Sequence, residues 1–235
     1  MIFYGWQKES FIEWPGKICS VIFVGGCNFR CPFCHNPDLI PLIPKLPKIE
    51  EEEILRHCLR NKDLLDALAI TGGEPLMGKK EDLINFIQKI KKIGLLIEIE
   101  TNGSNPDMIA YLLKKKLVDY IAMDIKAPLD AKRYSEVSGV KVNLSNIKKS
   151  IKIITGSNID YEFRTTVIPC FLNDDDILKI SNQIKGAKKY YLQQFNPENT
   201  FNPNLKSVKP YPQQWFRDIS KKILKINKNL ELRIN

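Results

Sequence analysis

The chain has 235 residues, long for one ordinary domain and short for two, so one larger domain over 1–235 is expected, with a core at about 15–197 and a helix and possible strand in 198–235. Hydrophobic residues make up 43% and charged residues 27%, an ordinary globular balance that argues against disorder, and no apolar run reaches the ~18 residues of a membrane span. Lys and Arg outnumber Asp and Glu by 36 to 27, giving +9; the basic residues are scattered without interleaved aromatics, so an acidic protein is a better expected partner than nucleic acid or a membrane.

The start, Met1–Lys8, lacks a basic stretch ahead of an apolar core, so no signal peptide is read and the expected location is the cytoplasm. Short apolar runs then alternate with longer amphipathic ones, the mark of a βα series. Strands are predicted at 18–24, 66–71, 95–101, 118–124, 160–168 and 189–195, and helices at 49–61, 80–93, 105–116, 143–155 and 173–185. A last helix at 211–227 and a strand at 230–234 complete the series. Six such steps suit a parallel sheet with helices outside, doubly wound or curled into an incomplete barrel.

The strand faces favour the barrel. Glu98 and Glu100 share one face, as do Glu162, Arg164 and Thr166, and Asp124 with Lys126. Parallel sheets are covered on both faces, so a polar inner face implies a lumen holding a charged or hydrogen-bonding ligand.

The first strand runs through Gly25-Gly26 into Cys27-Asn-Phe-Arg-Cys31-Pro-Phe-Cys34. Crowded cysteines in an intracellular chain point to metal or redox chemistry before disulfides. A structural zinc site wants four ligands, and the only near fourth candidate, His35, directly follows Cys34. Three thiolates suit a [4Fe–4S] cluster with one iron left open. Phe29 and Phe33 are placed to shield it. Cys19, Cys58 and Cys170 are isolated and read as small buried hydrophobes, and His57, on a Glu-rich helix, as a surface residue.

Each later strand ends in a further motif. Thr71-Gly72-Gly73-Glu74-Pro75 lets backbone approach a ligand closely and sets a carboxylate where it can accept from an ammonium group. Glu100-Thr101-Asn102-Gly103 presents short polar groups at the barrel mouth, and Asp124-Ile125-Lys126 an ion pair unless a ligand intervenes. Arg164, Gln194 and Asn196 are weaker candidates.

Together these motifs resemble the radical S-adenosylmethionine (SAM) enzymes. Cys34-His35-Asn36-Pro37 and the upstream Phe11-Ile-Glu-Trp-Pro15-Gly16-Lys are similar to the narrower group that activates glycyl radical enzymes. The resemblance runs from about residue 8 to about residue 197. It implies an incomplete (βα)6 TIM-like barrel of radical SAM type, one [4Fe–4S] cluster on Cys27, Cys31 and Cys34, and SAM. It implies that Gly72, Gly73, Glu74 and Pro75 meet the SAM amino group, Lys126 with Asp124 the carboxylate, Thr101 and Asn102 the ribose, and Phe33, beside Cys34 and His35, the adenine. A monovalent cation shared with Asp124 is a further implication. Some relatives place a His near 196, where this chain has Asn196. The implied partner is a glycyl radical enzyme, with anaerobic ribonucleoside-triphosphate reductase the expected one, and flavodoxin or ferredoxin the electron donor. A radical SAM enzyme acting on a small molecule or nucleotide, and a non-catalytic zinc or iron–sulfur module, stay open as alternatives.

Overall fold

The computed structural model describes residues 1–43 and 45–234; Pro44 and Asn235 lie outside the described residues. Eight strands form one sheet whose spatial order is the chain order: β1 (Phe3–Ser10), β2 (Cys19–Val24), β3 (Ala67–Gly72), β4 (Leu96–Thr101), β5 (Tyr120–Asp124), β6 (Asp160–Val167), β7 (Tyr190–Gln194) and β8 (Leu230–Arg233). β1 pairs antiparallel with β2, and every later pair is parallel. Helices fill the crossovers: α1 (Glu51–Arg60), α2 (Lys80–Ile93), α3 (Pro106–Lys114), α4 (Ala131–Ser138), α5 (Leu144–Thr155), α6 (Asp174–Gln183) and α7 (Gln213–Ile223). Among the described residues β1 and β8 pair with no strand beyond them, so the curled sheet stays an open TIM-like barrel.

Local chemistry explains the boundaries. Asn105 accepts from the Met108 N–H at 3.1 Å with Pro106 in the first turn, starting α3. Asn173 and Asp176 form a reciprocal capping box on α6. Two elements were not expected. β1 is half-exposed along much of its length, so it lacks the continuous apolar run that marks the buried strands. α4 has only eight residues, closed by Gly139. α7 is also shorter than the expected 211–227, because Pro212 stands at its N-cap.

The apolar core is divided in two. Outward-facing side chains of the strands pack with the helices into one large cluster. Inside, Cys19, Val21, Ala67 and Ala69 pack with Trp14, Phe23 and Leu96. Trp14 stacks on Tyr120 with ring centroids 4.7 Å apart. Cys19 and Cys58 are buried as expected, but Cys170 is exposed beyond β6. His57 is half-buried in an edge-on contact with Trp6, ring centroids 4.9 Å apart, because α1 packs beneath the unforeseen β1.

The charged inner face serves its expected purpose only in part. Arg164 pairs with Glu100 and Glu162, lies 3.4 Å from Glu98, and donates to the Glu13 carbonyl at 3.1 Å. Glu162 also takes Tyr120 Oη at 2.6 Å and Arg233 at 3.1 Å. Glu98 and Glu162 are therefore tied into an internal ion network, whereas Glu100, Arg164 and Thr166 of the same face also line the pocket at the barrel mouth. Three carboxylates face two guanidinium groups, and Glu98 Oε2 is buried without a partner. Burial, then the neighbouring Glu100, raises the Glu98 carboxyl well above its usual range, which favours its neutral form. No helix among the described residues is long and apolar enough to cross a membrane.

Candidate active site at the carboxyl ends of the strands

The turns after β2, β3, β4 and β5 meet at one mouth of the barrel, and glycines make the approach possible. A Cβ on Gly73 would stand 2.1 Å from the Gly26 carbonyl oxygen, and Glu74 N–H donates to that oxygen at 2.7 Å. The Gly-Gly turn is thus seated on the backbone that leads into the cysteine loop. On the loop's other side, the Arg30 N–H donates to the Ser138 carbonyl at 2.9 Å. Gly139 has φ +70°, and a Cβ there would lie 2.1 Å from the Arg30 oxygen.

Cys27, Cys31 and Cys34 line one pocket with Phe29, Phe33 and His35. Burial pushes the Cys27 thiol up to about 11 and Cys31 to about 12, and raises Cys34; Lys126 opposes the shift at all three. Three thiols brought to one pocket are the donor chemistry of an iron–sulfur cluster with one open iron, whereas a structural zinc site takes four ligands. Burial first, then Lys126, lowers the His35 imidazole, so it is neutral at pH 7.

Glu74 is buried, and its carboxylate accepts from Leu76 N–H at 3.1 Å, Thr101 Oγ1 at 2.7 Å and Asn102 N–H at 2.7 Å. Burial outweighs these bonds and raises its pKa to about 7. Asn102 Nδ2 donates to Asn28 Oδ1 at 2.9 Å, and Asn28 donates to Ser104 Oγ at 2.8 Å. The three motifs are thereby joined through hydrogen bonds. Lys126 Nζ lies 2.8 Å from Asp124 and 5.8 Å from the Phe33 ring centroid. Burial opposes its charge, but Asp124 and Cys31 outweigh that and raise its pKa, so it is an ammonium group.

Of the expected site residues, Cys27, Cys31, Phe33, Cys34, His35, Gly72, Gly73, Glu74, Thr101, Asn102, Asp124 and Lys126 all line this pocket. Pro75 does not; it opens the turn Pro75–Met77. Gln194 donates to the Tyr211 carbonyl, and it is Gln193 that reaches the pocket, because successive strand residues face opposite ways. Thr71 and Asn36, quoted within their motifs but given no role of their own, also line it, as does Arg164, one of the weaker candidates. Asn196 is outside the lining. Glu100 is held by Arg164 and by Thr71 at 2.6 Å, and Asp124 by Lys126, so each carboxylate the cation expectation relies on already has a partner.

A family model described as the radical SAM superfamily matches residues 21–184. A protein of Methanocaldococcus jannaschii assigned as a glycyl-radical enzyme activating enzyme is 34% identical over 95% of this chain and 92% of its own length. A pyruvate formate-lyase-activating enzyme of Clostridium pasteurianum is 28% identical over 84% of this chain and 82% of that one. Among solved structures, Streptococcus suis SuiB bound to S-adenosylmethionine matches 92% of this chain at a TM-score of 0.66 and 15% identity. The chain spans about half of SuiB, at 51%, and this likeness concerns the fold alone.

Proposed function

The chain belongs to the radical SAM superfamily and, within it, to the glycyl-radical-enzyme activating enzymes; from that premise we propose that its substrate is a backbone glycine of a partner enzyme, on which it leaves a radical. The observation that carries this reading is that a three-thiol loop, a Gly-Gly turn and a half-buried Asp–Lys pair, distant in sequence, line one pocket. When bound, the [4Fe–4S] cluster supplies an electron to the sulfonium of SAM, splitting a carbon–sulfur bond to give methionine and a 5′-deoxyadenosyl radical that takes a hydrogen atom from the glycine Cα.

We assign Cys27, Cys31 and Cys34 as the cluster ligands. Gly72 and Gly73 let backbone carbonyls approach the SAM amino group, with Glu74 fixing their turn and adding negative charge nearby. Lys126 is turned to the SAM carboxylate, and Asp124 keeps that ammonium aligned. Phe33 and His35, one an aromatic face and the other a neutral imidazole, wall the adenosine. Thr101 and Asn102 lie at its ribose edge, where their side chains chiefly brace the motifs. Phe29 and Phe33, both buried, exclude water from a site that must contain a reactive alkyl radical.

The finer reading is that the partner is anaerobic ribonucleoside-triphosphate reductase and the donor flavodoxin or ferredoxin, in the cytoplasm. The +9 charge favours an acidic donor. Anaerobic incubation of the reconstituted protein with SAM, reductant and the reductase tests it. The expected result is 5′-deoxyadenosine with a glycyl radical doublet in electron paramagnetic resonance. SAM cleavage without a doublet on the reductase, but with one on another glycyl radical enzyme, overturns the partner; a doublet on none of the host's glycyl radical enzymes overturns the activase reading.

A further inference from the structure

The segment after β7, residues 195–208, carries no motif that the proposed chemistry uses, yet it lies across the cysteine loop. Asn202 N–H donates to the Pro32 carbonyl at 2.8 Å, and Asn199 Nδ2 to the His35 carbonyl at 2.7 Å. Pro32 follows Cys31 and His35 follows Cys34, so the segment grips the loop just beyond two of its three thiols. The Phe195 ring lies 6.4 Å from the His35 ring.

The segment is itself stiff. Thr200 is buried and its hydroxyl donates to the Asn202 carbonyl at 2.9 Å. Asn202 Oδ1 accepts from Asn204 N–H at 3.0 Å, opening the turn Pro203–Ser207, whose Leu205 is buried. Its far end is pinned where Gln194 donates to the Tyr211 carbonyl at 3.0 Å and Tyr211 Oη donates to the Leu172 carbonyl at 3.2 Å. With the Arg30–Ser138 bond on the opposite side, the loop is held from two directions by distant elements.

A cluster on three thiolates has one protein anchor fewer than the usual four, and the three like charges on one short loop repel. Stiffness of the loop must then come from its neighbours. We propose that residues 199–202 form a clasp, with Asn199 and Asn202 as positioning residues that fix the thiols in the arrangement that retains the cluster. The inference rests on the assignment of Cys27, Cys31 and Cys34 as its ligands.

The test uses the full chain, reconstituted anaerobically, and follows iron release to a ferrous chelator and the cluster's reduction potential. Asn199→Ala should release iron about fivefold faster, the loss expected for one neutral hydrogen bond, with a shifted potential. Asn199→Gln keeps the amide donor and should restore both. Asn202→Pro deletes the other donor together with the Oδ1 acceptor of Asn204 N–H, and should add to the effect. Asn199 is exposed, so the melting point of the metal-free chain should not move. Release rates and potentials like the wild type overturn the clasp, as does a matching drop in metal-free stability, which marks a plain fold contact. A wild-type chain that takes up no iron overturns the ligand assignment first, and the clasp with it.

Discussion

The Glu74 carboxylate accepts the backbone N–H of Asn102 at 2.7 Å, which ties the turn after β3 to the turn after β4. Because Asn102 also reaches Asn28, the carboxylate expected to serve only a ligand is in addition the keystone between three loops. Replacing Glu74 by Ala leaves Leu76 N–H, Thr101 Oγ1 and Asn102 N–H without their acceptor in a buried place. Each orphaned group costs about 1–3 kcal/mol, so E74A should lower the melting point measurably and weaken SAM binding together. Calorimetry beside thermal denaturation checks this; weaker SAM binding at unchanged stability would show that the bracing is unimportant.

The same residue predicts a pH effect. Its pKa in the fold is about 7, above the ordinary carboxylate value, so folding favours its protonated form. Stability from this group is full at acid pH and falls as pH rises toward 7. A cationic SAM amino group beside it favours the carboxylate, so binding should release a proton below pH 7. SAM affinity should therefore strengthen from pH 5.5 to pH 7.5, about tenfold per unit at the limit. Titrations in buffers of different ionisation enthalpy measure the proton; none released at pH 6 contradicts the placement.

Cys31 is the most buried of the three loop thiols at 7% exposure, and Cys58 is buried outside the pocket lining. Cys31→Ala should abolish iron uptake and SAM cleavage, whereas Cys58→Ala should leave both intact. Iron and sulfide analysis after anaerobic reconstitution separates the two. A Cys31→Ala protein that holds a full cluster refutes the ligand set.

Gly139 carries a similar burden without being part of any motif. At φ +70° an alanine is strained by about 1–2 kcal/mol, and its Cβ would collide with the Arg30 carbonyl. Gly139→Ala should displace the cysteine loop, so iron retention falls more than the melting point does. Ordinary retention in a folded variant would show the loop is held elsewhere.

The parallel strands were legible because buried strands read as unbroken apolar runs, as in Ala67-Leu68-Ala69-Ile70. The motif residues were legible because cysteine spacing and glycine pairs have few other uses. What joins them was not. Arg30 with Ser138, Asn28 with Asn102, and Asn199 with His35 are single contacts between distant positions, and no local pattern marks an Asn whose partner lies on another loop. Likewise Glu98, Glu100 and Glu162 announced a polar lumen, but only the fold reveals that Arg164 claims them.

That lumen yields a last prediction. Arg164 faces Glu98, Glu100 and Glu162 in the interior, so Arg164→Leu strands carboxylates without their counter-charge and should cost about 3–5 kcal/mol. Glu98→Gln is the informative contrast. Burial and Glu100 raise the Glu98 carboxyl above its usual range and so favour its neutral form, which Gln mimics. Its folded-state pKa is raised, so its contribution favours folding at acid pH and is lost as pH rises above the ordinary carboxylate range. Glu98→Gln should therefore leave stability near that of the wild type at pH 5 and raise it relative to the wild type at pH 8. Denaturant midpoints at the two pH values measure the difference. A variant less stable than wild type at pH 8 would mean that Glu98 is ionised and that Arg164 depends on its charge.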